Sequence, residues 1–280
     1  MNIDKYIINY FNSDDYILIP LDKGYTNYNY LLTINNNKYV VRVPKKDSSN
    51  IVFREHEYIA EQAIKDKDVS VSLVNFDLNS GIKITKYIDD CKEFNENTNN
   101  KSIKMIAKKL KYLHSLKIDA KYDFNPIGRL NKYRSHTNSF LYDLSSYLDI
   151  IEDVKNLKYD PVLCHNDLVS GNILFKDDIV YIIDFEYAAN NDPIFDVMSF
   201  ISENDINDQE LRNIFYKEYF NELNDEIQHS LLVWEVFHNL LWCSWAMMMY
   251  DNRRDTIYKD IANNKYNALK KSYNTYKKRK

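Results

Sequence analysis

Two textures of apolar and polar positions divide the chain. Up to residue 88 the apolar residues come in short β-rich runs: YILIPL from Tyr16, NYNYLLTI from Asn27 and KYVVRV from Lys38. The polar INNNK between the last two is a turn signal and predicts a hairpin. Residues 50–65 space their apolar side chains as a helix does, behind an Asn50 able to cap it. Two more runs, VSLVNF and GIKIT, are joined by DLNSG. Five antiparallel strands and one helix are therefore predicted for 1–88. From residue 89 the spacing turns mostly helical, with helices predicted over 101–117, 133–151, 208–224, 226–250 and 255–277. Embedded among them, 173–175 and 179–183 read as short strands paired across the turn KDD. The expectation is an α+β chain with a small N-terminal sheet lobe (1–88), a larger mostly α lobe (89–280) and a cleft between them, a preferred place for ligands.

Composition narrows the classes. Of 280 residues, 45% are hydrophobic and 28% charged, ordinary for a soluble globular protein. The net charge of -4 speaks against a nucleic-acid binder that works by neutralising phosphates. Cys91, Cys164 and Cys243 lie far apart and form no CxxC pair, so neither a disulfide framework nor a structural zinc site is expected. A reducing, cytoplasmic setting follows. The start, MNIDKYIINYFNSDD, lacks the apolar core of a leader peptide. Residues 231–250 are apolar but contain Glu235, His238 and Asn239, which predicts a buried helix and no membrane insertion. Oligomeric state is not legible.

The chemistry concentrates in CHNDLVSGNILF, residues 164–175. Asp167 and Asn172 stand five apart in an irregular segment whose ends, LC and ILF, are apolar anchors. Asp184 ends the apolar strand VYII, and the predicted hairpin would bring it beside Asn172. Phosphoryl transfer needs such a set: one carboxylate to deprotonate the attacking hydroxyl, and a neutral oxygen with a second carboxylate to hold magnesium against phosphates. The competing reading is an Asn- and Asp-rich surface turn, against which the strand ending at Asp184 argues. Gly171, in a chain with four glycines, suits a backbone of unusual dihedrals. Arg42 sits mid-strand in VVRVP, on the face opposite its immediate neighbours. Trp242 and Trp245, three apart on a predicted helix, share a side with Glu235, His238 and Met249. Aromatic faces attract quaternary ammonium groups; ordinary core packing is the other reading of the pair.

HNDLVSGNILF followed by YIIDFEYAANNDPIFDV resembles the choline/ethanolamine kinase family, bacterial choline kinase type, within the aminoglycoside-phosphotransferase-like kinases. The resemblance implies a two-lobed protein-kinase-like fold, ATP and Mg2+ as cofactors, and choline as the small-molecule partner, phosphorylated on its hydroxyl; the alternatives are ethanolamine or an aminoglycoside. It implies Asp167 as catalytic base, Asn172 and Asp184 as magnesium ligands, His165 as a structural member of the loop and Asp196 as its brace. Gly24, Thr26 and Asn27 would form the phosphate loop. Arg42 would fork onto phosphate oxygens with a helix carboxylate behind it, Glu57 or, second, Glu55. Lys86, Tyr87 and Ile88 would be the adenine-facing connector. Glu186, Tyr187, Glu203, Trp242, Trp245 and Tyr258 would surround the substrate. A protein kinase is a poorer match, since the chain has no GxGxxG and reads DFE. His114 is expected to pack at a helix end, and the basic KKSYNTYKKRK to be a solvated helix end.

Overall fold

The structure, a computed structural model, describes residues 3–21, 27–45 and 53–280, without the side chains of 96 and 97. They form two compact units, Met1–Thr98 with Gly171–Ala188 and Asn99–Ser170 with Ala189–Lys280. The first takes in the 173–182 hairpin, which a division after residue 88 leaves with the second part. The reason is strand pairing. β6 (Lys92–Glu93) pairs with β8 (Ile173–Lys176), and β8 with β9 (Ile179–Ile182). The Ile182 N–H donates to the Val69 carbonyl (3.0 Å).

The first unit is built on an antiparallel sheet in the order β1 (Tyr16–Leu21), β2 (Asn27–Ile34), β3 (Asn37–Pro44), β5 (Lys83–Lys86), β4 (Leu73–Phe76). These are the five predicted strands. Alternation gives the sheet two chemically different faces. Leu32, Ile34, Val41 and Ile84 are buried on one, and α1 (Ile3–Phe11) covers them with Ile7 at its centre. Sequence reading assigns no element to α1, although Ile3, Tyr6, Ile7 and Phe11 are spaced as a helix. The opposite face carries the cross-strand sets Asn29/Arg42/Lys83 and Ile19/Leu31/Val40/Thr85. α2 (Arg54–Ile64) buries Glu57, Ala60, Glu61 and Ile64 along one stripe, and its two buried glutamates meet Arg42 and Lys83.

The second unit is helical, with one short antiparallel pair, β7 (Val162–Cys164) and β10 (Ala189–Asn191). Its helices are α3 (Asn100–Ser115), α4 (Pro126–Ser135), α5 (Ile150–Asn156), α6 (Pro193–Glu203), α7 (Gln209–Tyr219), α8 (Asp225–Arg253) and α9 (Thr256–Arg279). α8 is the pillar, packed by α4, α5, α6 and α9. Between Ser230 and Met249 it is buried on nearly every side, as its lack of a polar stripe there demands. Among the described residues no helix is long and apolar enough to cross a membrane.

Two helix expectations need correcting, and one further helix had none. Residues 133–151 are not one helix. α4 stops at Ser135 because the Asn138 and Ser139 N–H groups donate to the Asp251 carboxylate (2.7 and 3.3 Å), taking the backbone off the helical path. α7 ends at Tyr219, short of 224, where Asn224 instead caps α8 by accepting from the Ile227 N–H. α6 was not foreseen, although Asp192-Pro193 is a helix start: Asp192 accepts from the Ile194 N–H and Pro occupies the first turn. The basic C-terminus is the exposed helix end expected, but two of its lysines also make ion pairs. Lys277 pairs with Asp149, and Lys280 with Asp153 (2.9 Å), tying α9 to α5 and the turn before it.

Candidate active site

In the first unit Arg42 is the hub. It is 5% exposed and reaches two carboxylates, Glu57 through Nη2 and Asp184 Oδ1 through Nη1 (2.6 Å). Glu57 is fully buried and also receives Lys83 Nζ (3.0 Å) and Arg54 Nη1 (3.1 Å). Burial alone would push its carboxyl up; Arg42, Lys83 and Arg54 overcome that and hold it at about 2. Lys83 Nζ also meets Glu61 Oε1 (2.5 Å). Its ammonium is held above its ordinary value, since Glu61 and Glu57 outweigh burial and the nearby Arg42. Of the two candidate partners for Arg42, the structure places Glu57 on it.

The β8–β9 hairpin sets Asp184 against Asn172. Ile173 pairs with Ile182, and the Ile183 N–H donates to the Asn172 carbonyl (2.9 Å). Asp184 adopts a left-handed backbone (φ 65°) that turns the chain out of β9. Glu186, two residues on, is nearly buried and accepts from Asn27 Nδ2 (3.1 Å). Arg54 Nη2 donates to the Asn27 Oδ1 (3.3 Å). Burial, then the charge of Asp184, raises the Glu186 carboxyl to about 7. Tyr187 is buried beside it. Gly24 and Thr26 lie outside the described residues. In the connector the Lys86 N–H donates to Ser72 O (2.9 Å) and the Tyr87 N–H to Lys38 O (3.1 Å); Ile88 follows, half-buried. Beside Arg42 on its face of the sheet run Ile19 (50% exposed), Leu31, Val40 and Thr85, an apolar strip.

The second unit holds the loop that carries Asp167. Asp196 braces it, its two carboxylate oxygens accepting from the His165 and Asn166 N–H groups (2.7 and 2.6 Å). Asn166 stands at φ 67°, and its side chain spans Cys164 O (3.2 Å) and Asn191 Nδ2 (2.8 Å). The Leu168 N–H donates to Ser199 Oγ (2.9 Å), while Asn204 Nδ2 donates to Leu168 O (2.8 Å). Asp167 therefore lies half-buried between residues that are each held by hydrogen bonds. Behind Asp196 stands His114, with Nε2 at 3.1 Å from Asp196 Oδ2 and Nδ1 at 2.6 Å from the Tyr219 hydroxyl. His114 is thus more than a packing residue at a helix end; its spacing gave no hint of this, because its partners come from α6 and α7. The α6 start is itself pinned, since Trp234 Nε1 donates to Asp192 Oδ2 (2.6 Å).

In the same unit the predicted aromatics come together. Trp242 and Trp245 meet edge to face (5.8 Å between centroids), as do Trp245 and Tyr258 (5.6 Å). Trp242 Nε1 donates to His238 Nε2 (2.9 Å), so the buried His238 is neutral with its proton on Nδ1. Burial, then the charge of Lys265, holds His238 well below the usual imidazole range. Glu203 ends α6 and pairs with Lys265 Nζ (2.9 Å), a partner that sequence reading passed over. Lys83, Glu61 and Lys265 share one signal: each is a charged residue on the buried side of its element's alternation.

The hairpin puts Asn172 and Asp184 at neighbouring chain positions, and their amide and carboxylate oxygens are hard donors of the kind a magnesium ion takes. Among the described residues another cluster of ligand type is His114, Cys164 and Asp196. There His114 is bonded to Asp196, and Asp196 to the Asp167 loop, so the group reads as a brace.

Comparison with known proteins gives the chain its relatives. Protein LicA of Haemophilus influenzae is 28% identical over 240 residues, 80% of this chain and 70% of that protein. The ethanolamine kinase of Saccharomyces cerevisiae is 34% identical over 121 residues, 31% of this chain and 23% of its own. The crystal structure of choline kinase LicA from Streptococcus pneumoniae superposes with a TM-score of 0.79 at 21% identity, covering 96% of this chain and 99% of that one, and so shares the fold. The profile of the phosphotransferase enzyme family matches residues 17–232, most of the length, and the chain belongs to that family.

Proposed function

We propose that the protein transfers the terminal phosphoryl group of ATP to the hydroxyl of choline, giving phosphocholine and ADP. The observation that carries the choice of acceptor is the Trp242–Trp245–Tyr258 run of edge-to-face rings beside a neutral His238. A trimethylammonium group has no N–H to donate and gains from aromatic faces by about 0.5–2 kcal/mol. Ethanolamine, the alternative, carries three N–H donors that need oxygen acceptors, and Lys265 already occupies Glu203. The choline kinase of Streptococcus pneumoniae, which shares the fold, supports the same choice.

In this reading residues 1–88 serve the nucleotide and 89–280 the acceptor and the chemistry. The purine lies against Ile19, Leu31, Val40 and Thr85, with its polar edge toward backbone groups of Lys86, Tyr87 and Ile88. Gly24, Thr26 and Asn27 form the phosphate loop. Arg42, oriented by Glu57, presents its charge to the phosphates, a fork suited to phosphate oxygens. Asn172 and Asp184 hold magnesium, which when bound neutralises phosphate charge. Asp167 accepts the hydroxyl proton as the oxygen attacks; its braced loop supplies the positioning on which this chemistry depends. Glu186, Tyr187, Glu203, Trp242, Trp245 and Tyr258 shape the acceptor's surroundings.

The test is ADP release with ATP and Mg2+ over a panel of choline, ethanolamine and aminoglycosides. Choline is expected to exceed ethanolamine in kcat/KM by about tenfold, within the roughly 2- to 30-fold that a cation–π contact of about 0.5–2 kcal/mol can discriminate. ADP release with none of these acceptors overturns the reading, and a preference for ethanolamine moves it to the alternative.

A further inference from the structure

The buried charges behind Arg42 outnumber what one arginine–glutamate pair requires. Glu57 and Glu61 stand one helical turn apart on α2, and both face the sheet. Arg42 and Lys83 are direct cross-strand partners on β3 and β5, so their side chains leave the same face side by side. Lys83 is 6% exposed, and its Nζ lies between the two carboxylates, 2.5 Å from Glu61 Oε1 and 3.0 Å from Glu57 Oε1. Glu61, 3% exposed, has no access to bulk water to satisfy it otherwise. Without Lys83, Glu61 would be a buried carboxylate with its cation removed, one helical turn from the Glu57–Arg42 pair and free to compete for the guanidinium. With Lys83 present, Arg42 spends one end on Glu57 and keeps Nη1 for Asp184.

We propose that Lys83 is a positioning residue for Arg42: by occupying Glu61 it stops that carboxylate from capturing the guanidinium, and so fixes Arg42 toward Asp184. The proposal rests on the reading of Arg42 as a phosphate-facing group. A buried lysine that merely filled space would act on stability alone. One that sets a guanidinium's direction acts on turnover, because misplacement of a charged group by about 1 Å costs up to about a hundredfold in rate.

The experiment is steady-state ADP release per folded molecule, with KM for Mg-ATP and melting temperature, on wild type, Lys83→Met, Lys83→Arg and the double variant Lys83→Met/Glu61→Gln. Wild-type phosphotransfer is the control for the functional reading; its absence refutes that reading before Lys83 is tested. With wild type active, Lys83→Met is expected to lower kcat at least roughly tenfold and raise KM for Mg-ATP. Lys83→Arg, which can still pair Glu61, should retain most of kcat. The double variant removes the competing charge together with its keeper and should return kcat to within about fivefold of wild type, even where the single variant does not fold. Wild-type kcat in folded Lys83→Met, or a double variant that does not fold or turns over no faster than the single, overturns the proposal.

Discussion

The two units use their buried polar groups in opposite ways. In the first, among the described residues, Arg42, Arg54 and Lys83 face Glu57, Glu61, Asp184 and Glu186, three cations against four carboxylates, nearly all out of water. The negative excess shows at Glu186, which burial and Asp184 lift to about 7. In the second, Trp242, Trp245, Tyr258 and a neutral His238 make a wall of rings, with Glu203 paired to Lys265 and the Arg253 guanidinium donating to the Tyr258 hydroxyl at its edge (2.9 Å). Buried ion networks are a poor way to stabilise a fold, since well-packed apolar residues often do as well or better. The first unit's cluster is therefore best understood by what it presents, a directed cation beside a carboxylate with charge left to neutralise. On the proposed reading the second offers rings, with Trp245 the half-exposed one, to a cation that cannot hydrogen-bond.

The sharpest way to break this contrast lies with neither cluster. Asp167→Ala should lower kcat by roughly 10²–10⁴-fold, the usual worth of a positioned acid or base. ATP affinity, measured by calorimetry, should change little, because the first unit's cluster is intact. Near-normal turnover in this variant removes Asp167 from its role. Next in size is Glu57→Gln. It strips a fully buried carboxylate from three cations, so a stability loss of about 3–5 kcal/mol in urea unfolding is expected. KM for ATP should rise while KM for choline stays put; a rise in the choline constant alone would reverse the division of labour between the two regions.

Trp242→Ala tests the other side. Loss of one cation–π face worth about 0.5–2 kcal/mol corresponds to a rise of roughly 2- to 30-fold in KM for choline, with KM for ATP unchanged. Ethanolamine should feel the change less. An unchanged choline constant would return the tryptophan pair to the reading of ordinary core packing.

How much of this was legible beforehand follows from how local each signal is. The five strands and the 173–182 hairpin announce themselves through alternation and turn residues within a dozen positions, so both could be drawn from sequence. The adjacency of Asn172 and Asp184 followed from that hairpin alone. Where partners come from distant segments, sequence spacing is silent. His114 on α3 meets Asp196 on α6, Lys83 on β5 meets Glu61 on α2, and Lys265 on α9 meets Glu203 on α6. The helix expected over 133–151 failed for the same reason: its terminator is Asp251, more than a hundred residues away. The resemblance to choline kinases supplied roles for Asp167, Glu203 and the tryptophans that periodicity could not.

The smallest effect concerns pH. His238 is fully buried and accepts the Trp242 N–H through Nε2, so protonating it would break that bond inside the wall. The groups around it are Glu203 at 3.6 Å, Lys265 beyond it, and the rings of Phe195 and Trp242. Burial first, and Lys265 second, hold its folded-state value well below 6.5. The unfolded chain then binds more protons than the folded one below pH 6.5, and stability falls as the pH drops through that value. A single such group contributes a slope of at most about 1.4 kcal/mol per pH unit. His238→Gln keeps an acceptor for Trp242 and cannot titrate, so its urea midpoint should differ less between pH 7.5 and 5.5 than that of wild type. If the two proteins lose stability in parallel on acidification, the sensitivity belongs elsewhere, and the wall of aromatics is indifferent to pH.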